Sequence, residues 1–259
     1  SEVYIPKTIN AKSIKPTLNE DQKNVIDCIN QCKTFKPWLI HGVTASGKTE
    51  IYINLIKKLL LDKPSQVLML IPEINLTPQL EARFQDRFYD KKIVILHSYL
   101  SNLDRLDNWR EGKAGEADIV IGTRLAVFTP MPNLKKIIID EEHDASFKQS
   151  EGLKYHARDV AMIRAKNSNI PIVMGSATPS LEIWYKAINA QQNFQYFKLN
   201  KRAVDDSRLP IIKTIQVNEK TKLQISKQVI DEIEKRIHKK EQTIIFVNRR
   251  GYSPVLICS

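Results

Sequence analysis

At 259 residues and 42% hydrophobic content, the chain can build one large or two modest domains with their own cores, without disulfide or metal staples. No apolar run approaches the ~18 residues of a membrane span and no signal peptide opens the chain. Its three cysteines, Cys28, Cys32 and Cys258, make no disulfide framework, so a reducing, cytoplasmic setting is expected.

Lys and Arg outnumber Asp and Glu by 40 to 29, and the net +11 suits a polyanionic partner. Lysines such as Lys57, Lys58, Lys239 and Lys240 fit solvated helix faces equally well. The chain starts at Ser1 without methionine and stops at Ser259 after an apolar run, which reads as a piece excised from a longer protein.

Residues 1–17, with Pro6 and Pro16 and no period, read as a linker. Asn19 is a helix cap, and Val25, Ile26 and Ile29 share one face of a helix running to about Gln31. Short apolar runs then alternate with helix-period segments. The strands are Trp38 to His41, Val67 to Ile71, Ile93 to Leu96, Ile119 to Gly122, Ile137 to Asp140 and Ile172 to Gly175. The intervening helices are Thr49 to Leu61, Thr77 to Phe88, Asn102 to Glu111, Ala157 to Lys166 and Ser180 to Ala190.

This alternation predicts an α/β fold, a parallel sheet with helices on both faces, over residues 18–192. The rhythm weakens near Asn193. It restarts with a strand from Ile211 to Val217, a helix from Ser226 to His238 and a strand from Thr243 to Val247, so 193–259 reads as the beginning of a second domain.

Gly42-Val43-Thr44-Ala45-Ser46-Gly47-Lys48-Thr49 fits G-x-x-x-x-G-K-[ST] between a strand and a helix, the setting a P-loop needs. The amides of Gly42, Thr44, Ser46 and Gly47 and the helix start are expected to cradle the phosphates of ATP. Lys48 reaches the β and γ phosphates, and the Thr49 hydroxyl ligates Mg²⁺.

Asp140-Glu141-Glu142-His143 closes an apolar strand at the carboxyl edge of the sheet, where nucleotides bind in such folds. Asp140 is placed to hold Mg²⁺ and Glu141 to activate the attacking water. Gly175-Ser176-Ala177-Thr178-Pro179 ends another buried strand and, taken alone, is only a turn. Cys28 and Cys32, four apart on one helix, have no further His or Cys nearby and read as packing residues.

Together these strings, with Ile71 to Gln79, Leu96-His97-Ser98, Ile121 to Arg124, Asp140 to Gln149, Tyr155 to Asp159 and Val247 to Tyr252, resemble the bacterial primosomal replication-restart helicases, a DEXH-type branch of superfamily 2. The resemblance covers nearly the whole chain. It implies a RecA-like P-loop lobe followed by the start of a second RecA-like lobe, and an ATP-driven motor moving 3′ to 5′ on forked or single-stranded DNA. Single-strand-binding protein and primosome proteins are the implied partners.

By the same resemblance, Gln22 reads adenine, and His143, Ser176 and Thr178 couple hydrolysis to the DNA path. Arg124, Phe147, Lys148, Tyr155 and Arg158 contact DNA, as do the segments Glu73 to Gln79 and Gly122 to Arg124. Leu153 stands where the family often has tryptophan, and Ala45 where it usually has glycine; a positive φ there would strain alanine, but many such loops accept other residues, so no loss is expected. Cys258 matches the first of the family's zinc ligands, but a zinc site needs four, so zinc is expected only in full-length relatives.

The residues that supply an arginine finger in the family are not among these 259, so nucleotide binding with slow turnover is expected of the chain alone. A restriction-type translocase and a non-catalytic scaffold that keeps the motor fold are the alternatives.

Overall fold

The computed structural model describes residues 17–62, 64–72, 78–200, 212–215 and 226–245. Nearly all of residues 1–17, the stretch Glu73 to Thr77, the segment Val247 to Tyr252 and Cys258, each singled out above, lie outside the described residues. Two compact units are present, Ser1–Ser207 and Arg208–Ser259.

The first unit runs α1 (Glu20–Gln31), β1 (Pro37–Gly42), α2 (Lys48–Leu59), β2 (Gln66–Leu70), α3 (Pro78–Arg87), β3 (Ile93–Leu96), α4 (Asn102–Ala114), β4 (Ile119–Gly122) and β5 (Leu134–Asp140). It continues with a two-residue hairpin, β6 (Lys148–Gln149) and β7 (Tyr155–His156), then α5 (Ala157–Asn167), β8 (Ile172–Ser176), α6 (Leu181–Ile188) and β9 (Gln195–Leu199). In the second unit the described residues hold one helix, α7 (Lys227–His238). Ile212 to Ile215 and Thr243 to Ile245, expected in strands, form none.

Seven strands pair in the order β3-β4-β2-β5-β8-β1-β9, every pair parallel. The strands are apolar on both faces because both faces are covered. Alternate residues separate into two cores. Leu39, Leu68, Leu70, Ile137, Ile139, Ile172 and Met174 join α5 and α6 on one side. Trp38, Ile40, Val67, Met69, Ile138 and Val173 join α1, α2 and α3 on the other. The period of two puts successive residues on opposite faces.

The expected domain boundary at 193 is corrected by β9. Gln195 to Leu199 pairs with β1 from Trp38 to Gly42 and closes the edge of the first sheet, with Phe197 stacked on Trp38 at 5.8 Å. Polar residues at 191–193 and 195 hide this strand in the sequence, because an edge strand needs only one buried face.

One residue sits against the grain of the core. Lys136, on β5, is 2% exposed, and burial, with the Lys58 charge adding to it, pulls its ammonium down to about 8. Below pH 8 the folded chain carries a charge it would rather shed. Between pH 8 and the ordinary lysine value the unfolded chain binds the proton more tightly, so stability rises with pH across that window. Lys136→Met is therefore expected to gain about 2–3 kcal/mol at pH 7. The gain should shrink above pH 9, which urea denaturation at pH 7 and 9.5 will measure.

Candidate nucleotide site

Strand order determines what meets what. β8 lies between β5 and β1, so the turn after β8 sits between the phosphate loop that follows β1 and the acidic box that ends β5. All three meet at the carboxyl edge of the parallel sheet, the usual place for a ligand in such folds.

The loop is held from below and from the side. Gly47, at φ 83°, turns the chain into α2. Ala45 also has positive φ, at 64°, a conformation that costs alanine about 1–2 kcal/mol.

Gln22, expected to read adenine, braces the loop. It is 3% exposed and its Nε2 donates to the Ser46 carbonyl at 2.9 Å. Its Oε1 accepts from the Asn19 amide at 2.9 Å in a capping box, so both ends of the carboxamide are engaged within the protein.

Lys48 is 8% exposed; its Nζ donates to the Gly42 carbonyl at 2.9 Å and lies 3.5 Å from Glu141 Oε1. Asp140 accepts from the Tyr52 hydroxyl at 3.0 Å and from the Glu141 amide at 3.1 Å. Burial, reinforced by the neighbouring Glu141 charge, pushes the Asp140 carboxyl up to about 6; the Tyr52 hydrogen bond and Lys48 oppose the shift. Glu141 has φ 45°, a strained backbone at the residue that faces Lys48.

Glu141 Oε2 also accepts from Ser176 Oγ and the Ala177 amide, both at 3.4 Å. Ser176 Oγ is hydrogen-bonded to His143 Nδ1 at 2.7 Å, and His143 Nε2 lies 3.3 Å from Thr178 Oγ1. His143, Ser176 and Thr178 are thus joined in one network that ends on Glu141.

Tyr52 was not singled out in the sequence. Its place one turn after Lys48, on the buried stripe of α2, is the signal that locates it. The ring is fully buried, and its hydroxyl occupies the space a Cβ on Gly175 would need. Glycine is therefore required at 175 for Tyr52 to reach Asp140. Gly175→Ala is expected to lower stability by about 1–3 kcal/mol. Combining it with Tyr52→Phe should recover part of the loss, because the hydroxyl in the way is removed; thermal denaturation of the two single variants and the double variant measures this coupling.

The expected DNA-contacting residues divide. Phe147 is fully buried in the core and offers no stacking face, which corrects that expectation. Arg158 is corrected as well: at 8% exposure its Nη1 donates to Glu142 Oε2 at 3.0 Å and to Ser180 Oγ at 2.8 Å. Glu142, with no exposed surface, accepts from the Ser180 amide at 2.7 Å and Ser180 Oγ at 2.9 Å, capping the start of α6 with its charge.

Arg124 is half-buried and donates from Nη1 to the carbonyls of Ser146 and Lys148 at 3.2 and 3.1 Å, tying the turn after β4 to the hairpin. Lys148 is exposed, and Tyr155 is half-buried with its ring edge-on to Phe128 at 5.0 Å. A cleft beside the hairpin is lined by Lys148, Gln149, Lys154, Tyr155 and His156, so a basic and aromatic surface does exist there.

A P-loop lobe with an acidic box at the end of β5 defines an NTPase motor class. Residues 9–184 match the DEAD/DEAH box helicase family, and the chain belongs to that family. It is similar to the replication restart protein PriA of Haemophilus influenzae, 43% identical over 252 residues, which cover 96% of this chain and 34% of the relative. PriA of Bacillus subtilis is 38% identical over 249 residues, covering 95% of the chain and 29% of the relative. The chain thus spans about a third of the length of these relatives.

Among solved structures, RecG bound to a three-way DNA junction shares the fold at TM-score 0.52 and 19% identity, over 71% of this chain and 24% of its own; the DEAD-box helicase Mss116 bound to ssRNA and UDP-BeF shares it at TM-score 0.53 and 17% identity, over 72% of this chain and 41% of its own.

 At these identities the likeness concerns the fold alone. Among the described residues no helix is long and apolar enough to cross a membrane.

Proposed function

We propose that the chain is the ATP-binding lobe of a DNA helicase motor of the replication-restart type. The observation that carries this reading is the meeting of Lys48 with Glu141 at 3.5 Å, with Ser176 and His143 bonded behind the carboxylate.

The loop fits a polyphosphate. Ser46 Oγ is buried without a partner, and Gly42 leaves room beside that oxygen that a Cβ would fill. The amides of Thr44, Ser46 and Gly47 and the start of α2 would hold the phosphates, and Lys48 would move from the Gly42 carbonyl toward the β and γ phosphates. The Thr49 hydroxyl and the Asp140 carboxylate are hard oxygen donors suited to Mg²⁺, which when bound would neutralise phosphate charge. Tyr52 orients Asp140, and Glu141 takes the proton of the attacking water.

The path from Glu141 through Ser176 and His143 to Thr178 would carry the state of the nucleotide site toward the DNA track, to which Lys148 and Tyr155 contribute a cation and an aromatic face. Arg124 would position that segment by its bonds to Ser146 and Lys148. Translocation 3′ to 5′ on forked or single-stranded DNA, and single-strand-binding and primosome proteins as partners, extend the proposal to the longer protein. Alone, the 259 residues would bind ATP·Mg²⁺ and turn it over slowly, since an arginine finger is worth about 10³–10⁵ in rate.

Lys48→Ala tests the reading. Titration with a fluorescent ATP analogue in Mg²⁺ is expected to show saturable binding by the parent chain and an affinity at least about tenfold weaker in the variant, a loss of about 1.4 kcal/mol or more. Equal affinity in both would remove the loop from the nucleotide site.

A further inference from the structure

At the sheet edge opposite the phosphate loop, the C-terminal ends of α1 and α2 and the start of β5 surround a cavity of about 450 Å³. Its lining includes Asn30, Lys33, Lys58, Asp62, Lys135 and Lys136. Lys136 and Asp140 lie on the same strand, roughly 13 Å apart along it, so this cavity is separate from the nucleotide site.

Two polar groups are buried here in a way the fold itself does not require. Lys136 is 2% exposed, and its Nζ donates to Asn30 Oδ1 at 3.2 Å. Asn30 Nδ2, the other end of that amide, is buried and without a partner. A buried ammonium and a buried unmatched N–H each disfavour folding unless an acceptor meets them.

The charge balance indicates what that acceptor is. Among the described residues of the lining, four lysines face one aspartate. The C-terminal ends of two helices contribute roughly −0.5 each, which leaves an excess of roughly +2. Asp27 reaches Lys58 only at 3.9 Å, with both side chains more than half exposed, so that pair offsets little of it.

We propose that this cavity binds a small phosphorylated molecule, its phosphate held by Lys136 and the Asn30 amide, with Lys33, Lys58 and Lys135 around the mouth. The volume falls in the range of small-molecule sites, about 300–1,000 Å³, and exceeds what a lone phosphate fills. An amine this deeply buried is out of reach of a nucleic-acid backbone. The occupant is therefore a phosphate monoester of sugar-phosphate or mononucleotide size.

Calorimetry on the whole 259-residue chain carrying Lys48→Ala, which silences the phosphate loop, tests the site with ribose 5-phosphate and inorganic phosphate as probes. Saturable binding of ribose 5-phosphate is expected, at least tenfold tighter than inorganic phosphate. Adding Lys136→Met, or separately Asn30→Asp, should weaken it at least tenfold. With Lys48 intact, the same two substitutions should leave affinity for the ATP analogue unchanged, which shows that the fold survives. Binding that persists in both variants, or no saturable binding of ribose 5-phosphate, overturns the site. Equal affinity for the two probes overturns the organic occupant.

Discussion

Arg158→Leu is expected to destabilise the first unit by about 3–5 kcal/mol, because it leaves the Glu142 carboxylate buried without its counter-charge. Glu142 has no exposed surface, and its partners are the Arg158 guanidinium and the amide and hydroxyl of Ser180. Losing the guanidinium leaves hydrogen bonds but no cation, and in a low-dielectric setting the charge then dominates. At about 2–4 °C per kcal/mol for a unit of this size, the melting temperature should fall by about 6–20 °C.

Arg158→Leu combined with Glu142→Leu should recover much of this loss, since removing both charges also removes the unpaired one. A DNA-contacting Arg158 would give the opposite pattern, with unchanged melting and weaker DNA binding. Thermal denaturation of the single and double variants separates the two.

Much of the first unit was legible in the sequence. The parallel sheet follows from apolar runs alternating with helix-period segments, and Ile93–Leu96 and Ile119–Gly122 form strands with the expected ends. Asn19 caps α1 as its side chain suggests. The phosphate loop and the acidic box were legible because their chemistry requires particular residues at particular spacings.

The misreadings arose where a side chain has two possible uses and only the tertiary structure chooses between them. Phe147 and Arg158 sit in a segment rich in aromatic and basic residues, yet one fills the core and the other neutralises Glu142. Gln22 bonds Ser46, 24 positions away, a partner that local sequence does not reveal. β9 escaped because half of an edge strand faces away from the core, and Tyr52 because a tyrosine in an apolar stripe looks like packing until its hydroxyl meets Asp140.

Glu141→Gln bears most directly on the central claim, that the carboxylate facing Lys48 activates water for ATP hydrolysis. Glutamine keeps the shape and can still accept from Ser176 and Ala177, so nucleotide binding should persist. It cannot take a proton, and general-base catalysis contributes typically about 10²–10⁴ in rate. The measurement is single-turnover hydrolysis of ATP·Mg²⁺ at saturating protein, parent against Glu141→Gln, with affinity determined alongside. The account gives equal affinity within about twofold and a rate at least about 10² lower in the variant; an unchanged rate at equal affinity would contradict it.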